Sequence, residues 1–231
     1  MVKKTNKKTA AVKEKFSVAT LEEALKKAQD LSAAKQRKFV ETVDIAINLG
    51  IDAKQSDQSV KGSVLLPHGS GKKVRVIVFA SNDDQKKAAL EAGAEIVGLE
   101  DLVAKIEDGF LDFDVCVATP DVMQKISKVA KKLGPRGLMP SPKNGTVTAD
   151  VAKAVTDALK GKVNFKNDKA GTVHCLVGKA NFDVKSLLEN TQAIIKAIKD
   201  SKPEGAKGKF IKGFFVSTTM GPSVQVSTDS I

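Results

Sequence analysis

Between residues 74 and 133 the chain alternates short apolar runs with amphipathic stretches, and this alternation restricts the fold more than any other feature. VRVIVFA (74–80) is apolar almost throughout, the composition of a strand buried on both faces. DDQKKAALEAG follows as a helix closed by Gly93, AEIVG as a short strand, and EDLVAKIEDG as a helix closed by Gly109. DVCVAT (114–119) is a third strand, and Pro120-Asp121 opens a helix over DVMQKISKVAKKLG. Strand and helix in regular succession, joined by right-handed crossovers, make a small parallel sheet with helices on its faces. The pattern predicts a Rossmann-like three-layer α/β domain with a parallel sheet.

The flanking segments follow a different grammar. Thr20 caps a helix over TLEEALKKAQDLS, with Glu22 and Glu23 in its first turn. KFVETVDIAINLGID places Phe39, Val43, Ile45, Ile47 and Leu49 at every second position apart from Glu41, the period of a half-buried strand. Another strand spans Val60 to Leu66. After a helix from about Asp150 to Leu159, VNFKNDKAGTVHCLVGKANF reads as two strands joined by a turn at Asn167–Gly171. Phe182 to Lys202 is a long amphipathic helix, and KFIKGFFVSTTMGPSVQVS closes the chain as two strands around Met220-Gly221-Pro222. These pieces make an α+β body, so two domains are expected. Residues 1–67 with 160–231 form a discontinuous domain from both termini, 68–159 is inserted, and the crossings near 67–70 and 159–162 are a hinge.

Charge divides at the same places. Residues 1–67 carry 13 Lys/Arg against 8 Asp/Glu, 160–231 carry 12 against 6, and 68–159 carry 13 of each. The formal +11 therefore belongs entirely to the ends. A basic surface gains affinity for a polyanion by releasing condensed counterions, which makes nucleic acid the leading partner. The chain has no Trp or Tyr, leaving Phe alone for stacking on bases. The Lys-rich MVKKTNKKTAAVKEKF reads as a basic arm and not a secretory signal, and no run is long and apolar enough to suggest a membrane span. Cys116 and Cys175 lack partners at metal-ligand spacing and read as reduced, buried thiols of a cytoplasmic protein.

Catalytic and cofactor motifs fail one by one. His68-Gly69-Ser70-Gly71-Lys72 imitates a phosphate loop, but Leu66 stands where glycine is required and Lys73 where Ser or Thr should meet magnesium. No dinucleotide fingerprint follows the 74–80 strand, so no cofactor is expected. His174 and Cys175 are neighbours on a strand and point to opposite faces, which excludes a catalytic pair. The acidic residues form no spaced metal set. A nucleotide-binding enzyme built on the central domain remains the rival reading, and a chaperone without a specific nucleic-acid site a third. GPRGLMPSPKNGT (134–146) is either a connector packing Leu138 and Met139 onto the central sheet or a binding loop using Arg136 and Lys143.

KVAKKLGPRGLMPSPKNGTVT resembles the signature of the L-one family of large-subunit ribosomal proteins. KFVETVDIAINLGID, SDQSVKGSVLLPHGSGK, DFDVCVATPDVM, FKNDKAGTVHCLVGKANF and KPEGAKGKFIKGFFVSTTMGPSV resemble its bacterial form, in order, from about residue 15 to near 226. The resemblance implies a non-enzymatic protein of the mobile stalk beside the tRNA exit site. Its partners would be large-subunit rRNA, its own operon messenger, which it represses, and the departing tRNA. It would be a monomer outside the ribosome, cytoplasmic, with no membrane contact.

By residue type alone Ser217–Gly221 reads as a hairpin turn with Met220 filling core; the resemblance instead implies an RNA surface on the matched blocks. Ser217, Thr218 and Thr219 offer hydroxyls to sugars, Met220 a soft apolar contact, and Gly221 a close backbone approach. On the strand Lys38 and Thr42 share the outer face, while Phe39 and Glu41 share the inner one with Val43. Glu41 would then accept from a 2′-hydroxyl or guanine amino group, or orient a lysine, and Phe39 would stack or be plain core. Lys61, Lys166, Lys169 and Lys179 are assigned to phosphates, His174 to a sugar edge, and Arg136 with Lys143 to a secondary contact.

Overall fold

The computed structural model describes residues 19–34, 37–52, 55–203, 205–206 and 208–228. The basic N-terminal arm lies outside them. In chain order the elements are α1 (Leu21–Ala33), β1 (Thr42–Leu49), β2 (Lys61–Leu65), β3 (Val76–Phe79), α2 (Asp83–Glu91), β4 (Ile96–Gly98), α3 (Glu100–Glu107), β5 (Val115–Ala118), α4 (Val151–Leu159), β6 (Lys162–Lys166), β7 (Thr172–Lys179), α5 (Val184–Asp200), β8 (Ile211–Thr218) and β9 (Val224–Val226). They form two compact units. One takes the chain up to Ser70 and again from Phe165 onward, and the other is Gly71–Asn164. With these bounds the first holds 23 Lys/Arg against 14 Asp/Glu and the second 15 against 13.

The first unit is built on an antiparallel sheet ordered β7-β1-β8-β9. Alternation along its strands decides which face is buried. Val43, Ile45, Ile47 and Leu49 of β1 point inward with Val173, Cys175 and Val177 of β7 and Phe214 and Val216 of β8, all buried. Helices α1 and α5 lie against this sheet. Helix α1 starts at a capping box: Glu23 N–H donates to Thr20 Oγ1 at 3.4 Å and Thr20 N–H to Glu23 Oε2 at 3.2 Å. Helix α5 buries Leu187, Ile194 and Ile198, and among them the fully buried Asn190. Asn190 Nδ2 donates to Val177 O at 2.9 Å and Gly69 O at 3.0 Å, while its Oδ1 accepts from His68 N–H at 3.0 Å. The Pro67–Gly69 turn is thereby fixed to the unit it leaves. The opposite face of the sheet stays open, with Asp44, Ala46, Leu176, Phe215 and Ser217 half-buried and His174 exposed.

The second unit has a parallel sheet ordered β4-β3-β5, with Ile77 opposite both Ile96 and Cys116. Every residue of β3 is buried, as its continuous apolar run predicts. Ile77, Phe79, Cys116 and Ala118 pack on one side with Leu102 and Ile106 of α3 and with Val122, Ile126, Val129 and Leu133. Val76, Val78, Ala80 and Val117 pack on the other with Ala89 of α2 and Val155 and Ala158 of α4. Helices on both faces of a parallel sheet are the three layers expected. Gly93 and Gly109 end their helices with φ of 98° and 106°, the left-handed region where glycine carries no steric penalty.

One local reading needs correction. The helix expected over 120–133 is a broken run of short α and 3-10 turns. Its Ser127 Oγ donates to the Met123 carbonyl at 3.0 Å, a side-chain bond of the type that bends helices, although Val122, Ile126, Val129 and Leu133 keep helical spacing toward the core. Strands β6 and β7 are joined by a turn at Asn167–Gly171, as expected, and meet at a single bridge, Asn167 with Val173.

Candidate nucleic-acid interface

The start of β1 and the end of β8 meet at one end of the first unit's sheet. Val43 lies opposite Thr218, and Thr42 lies opposite Lys179 of β7. Thr42 N–H donates to Thr219 Oγ1 at 2.9 Å, and Thr219 N–H donates back to the Thr42 carbonyl at 3.0 Å. Lys179 Nζ donates to Thr42 Oγ1 at 3.1 Å. Residues separated by some 177 positions in sequence are thus directly bonded. Phe39 is 54% exposed and Met220 60%, so both large apolar side chains stand out into solvent at this junction. Exposed aromatic and thioether groups beside hydroxyls and lysines suit unstacked bases and ribose edges.

Glu41 lies on the inner side with Val43, as its sequence reading has it, but Phe39 does not. Regular strand begins only at Thr42, so the alternation does not extend back to Phe39, which turns outward while Glu41 turns in. At 2% exposure Glu41 cannot reach a 2′-hydroxyl. Its carboxylate pairs with the Arg37 guanidinium at 2.5 Å, and Arg37 Nη2 donates to the Met220 carbonyl at 3.2 Å. The Thr218 hydroxyl, with Arg37 and the Met220 backbone N–H, holds the Glu41 carboxyl below its ordinary range against the cost of burial. Glu41 is therefore a positioning residue for the β8–β9 loop. Thr218, 3% exposed, is another, and its hydroxyl likewise faces inward. A Cβ on Gly221 would collide with Thr218 Oγ1, so glycine is favoured here by close approach, not by an unusual φ.

The remaining assigned residues separate into groups. Lys38, Thr219 and Met220 are exposed at the junction, with Thr42, Lys179, Ser217 and Gly221 half-buried beside them. His174 is exposed on the open face, opposite Ala46, about 13 Å along β1 from Thr42 by strand rise. Lys166 and Lys169 lie at the far end of the sheet, where β7 begins opposite Asn48. With Ser59, Asn167 and Asp168 they line an open hollow of about 460 Å³, and Asn167 N–H donates to the carbonyl of Val60, next to the exposed Lys61. The structure does not bring these three lysines to the Phe39–Met220 junction. In the second unit Leu138 and Met139 pack on the core, as the connector reading expects, while Arg136 is exposed. Lys143 lies in the Pro142–Asn144 turn, and its side chain is outside the described residues.

Sequence reasoning missed Arg37 and Asp44. Arg37 stands only four positions before its partner Glu41, but its bond to the Met220 carbonyl arises only in the fold. Asp44 sits on the open face, where burial pushes its carboxyl up while Lys179 and His174 pull it down. No phosphate cradle forms at His68–Gly69, because the His68 N–H is bonded to Asn190. Burial pushes both thiols up, Cys175 to about 12, so neither is reactive. Among the described residues no group of His, Cys, Asp and Glu could hold a metal, and no helix is long and apolar enough to cross a membrane.

Residues 25–222 match the model of the Ribosomal protein L1p/L10e family. The chain belongs to this family. A Coxiella burnetii protein named large ribosomal subunit protein uL1 is 47% identical over 234 residues, covering 100% of this chain and 99% of its own. One of the same name from Vibrio parahaemolyticus is 47% identical over 231 residues, covering 99% and 97%. The Mycobacteroides abscessus protein of that name is 51% identical over 204 residues, covering 88% and 85%. The family is one of structural ribosomal proteins, which sets aside the enzyme reading of the inserted unit.

Proposed function

We propose that the Phe39–Met220 junction binds structured large-subunit rRNA, making the protein a cytoplasmic component of the ribosomal stalk near the tRNA exit site. The double hydrogen bond between Thr42 and Thr219 carries this reading. It joins the two ends of the chain into one surface where an exposed Phe and Met stand beside hydroxyls and lysines. A-form RNA hides its bases in a deep groove, so a protein reads shape, 2′-hydroxyls and splayed bases, which this mixture of groups fits. The same surface binds a similar fold in the operon messenger, which gives translational repression. The protein is a monomer outside the ribosome, and the two chain crossings act as a hinge that lets the stalk follow the departing deacylated tRNA. Arg136 and Lys143 supply a secondary RNA contact.

The test is a salt titration of the full chain against a stalk rRNA fragment. Thr219→Ala and Met220→Asp are expected to lower affinity with little change in the slope of log K against log salt, because neither removes a phosphate contact. Wild-type binding by both variants would refute the assignment. A general chaperone would lose affinity with salt alone and be indifferent to both changes.

A further inference from the structure

We propose a second, independent RNA contact in the first unit: a hollow at the C-terminal end of α5 that takes one unstacked nucleotide of a single-stranded segment. The hollow measures about 240 Å³ and is lined by Lys199, Lys202, Lys209, Phe210, Ile211 and Thr228. It lies at the end of the sheet opposite the Phe39–Met220 junction, since Ile211 pairs with Leu49 at the close of β1. Its volume is below the roughly 300–1,000 Å³ of sites for drug-sized ligands, so it suits a single base with its phosphate. Phe210 is half-buried, with Lys202 Nζ 5.9 Å from its ring centroid. Ile211 is buried beneath, giving an apolar floor. Lys209 Nζ donates to Thr228 Oγ1 at 2.7 Å, which holds that cation at the rim.

None of the described lining residues is acidic. The segment from Lys196 to Lys212 carries six lysines against Asp200 and Glu204. Lys199 also complements the helix dipole, but that role needs one cation in the last turn and does not account for Lys202. A ring roofed by a cation and rimmed by others is the pairing of stacking platform and phosphate neutralisation used for single strands. An acidic peptide would satisfy the lysines and leave the ring without a purpose.

The probe is a short fluorescent oligoadenylate carrying one central 5-iodouridine, titrated into the full chain and photo-crosslinked. Phe210→Leu keeps the floor apolar and removes the stack, so affinity is expected to fall at least about fivefold. Lys202→Gln and Lys209→Gln are each expected to flatten the salt slope by about 0.7. Crosslinks should map to residues 199–228 and persist in Met220→Asp, so this contact stands or falls apart from the rRNA junction. Unchanged binding by Lys202→Gln and Lys209→Gln together, or crosslinks only outside 199–228, would overturn it. So would undiminished binding by a Phe210→Leu protein of native circular dichroism. Displacement of the probe by polyglutamate as readily as by unlabelled oligoadenylate would also overturn it, in favour of an acidic protein partner.

Discussion

The two units treat both their sheets and their charges in opposite ways. The inserted unit covers its parallel sheet on both faces and sets many of its cations against carboxylates: Lys72 with Asp114, Arg75 with Asp112 and Asp114, Lys86 with Asp83, Lys125 with Glu100. The unit made from both termini leaves one sheet face open and keeps an excess of nine positive charges. A sheet with one solvated face can present side chains from several strands to a partner, whereas a doubly covered sheet has only its ends and helices to offer. Recognition is therefore expected of the first unit and scaffolding of the second.

The strongest test of that division is Phe79→Ala. Phe79 is fully buried in β3, and its truncation is expected to cost about 4 kcal/mol. The loss should appear as faster hydrogen exchange within Gly71–Asn164, with protection of the first unit and rRNA affinity unchanged. Equal loss of protection in both units would mean that they do not fold separately.

Glu41→Gln probes the other unit and comes next in size. It uncouples Arg37 and the β8–β9 loop from β1, and is expected to cost about 2 kcal/mol and to weaken rRNA binding without removing any direct contact. The pH dependence has a definite sign. Glu41 has its folded-state pKa lowered from 4.5, so its contribution is present above that value and fades as pH falls through the folded pKa. Wild type and Glu41→Gln should therefore differ most near neutrality and converge in acid. A difference that grows on acidification would contradict the placement of this carboxylate.

How much of this was legible in sequence follows from the range of the interactions. The N-cap at Thr20 and the apolar run of β3 rest on residues within a few positions, and both are found where expected. The outward turn of Phe39 was not legible, because strand period predicts a side chain only where the strand continues, and here it starts at Thr42. Arg37 and Asn190 were invisible for another reason. Arg37 reaches Met220 across 183 positions and Asn190 reaches His68 across 122, and no local pattern records such pairs. The lysines were legible as cations but not as neighbours, since phosphate-binding type carries no information about which end of a sheet a residue occupies.

The smallest expected effects sharpen that last point. Lys179 bonds Thr42 at the junction, while Lys166 lines the hollow at the far end of the sheet. Each Lys→Ala change is expected to weaken rRNA binding modestly and to flatten the salt slope by somewhat less than one unit, the share of one phosphate. Six residues of β1 separate Thr42 from Asn48, roughly 20 Å by strand rise, so two such losses require RNA that runs along the open face. A slope altered by Lys179→Ala but untouched by Lys166→Ala would confine the rRNA to the Phe39–Met220 end and leave the far end of the sheet for a different strand.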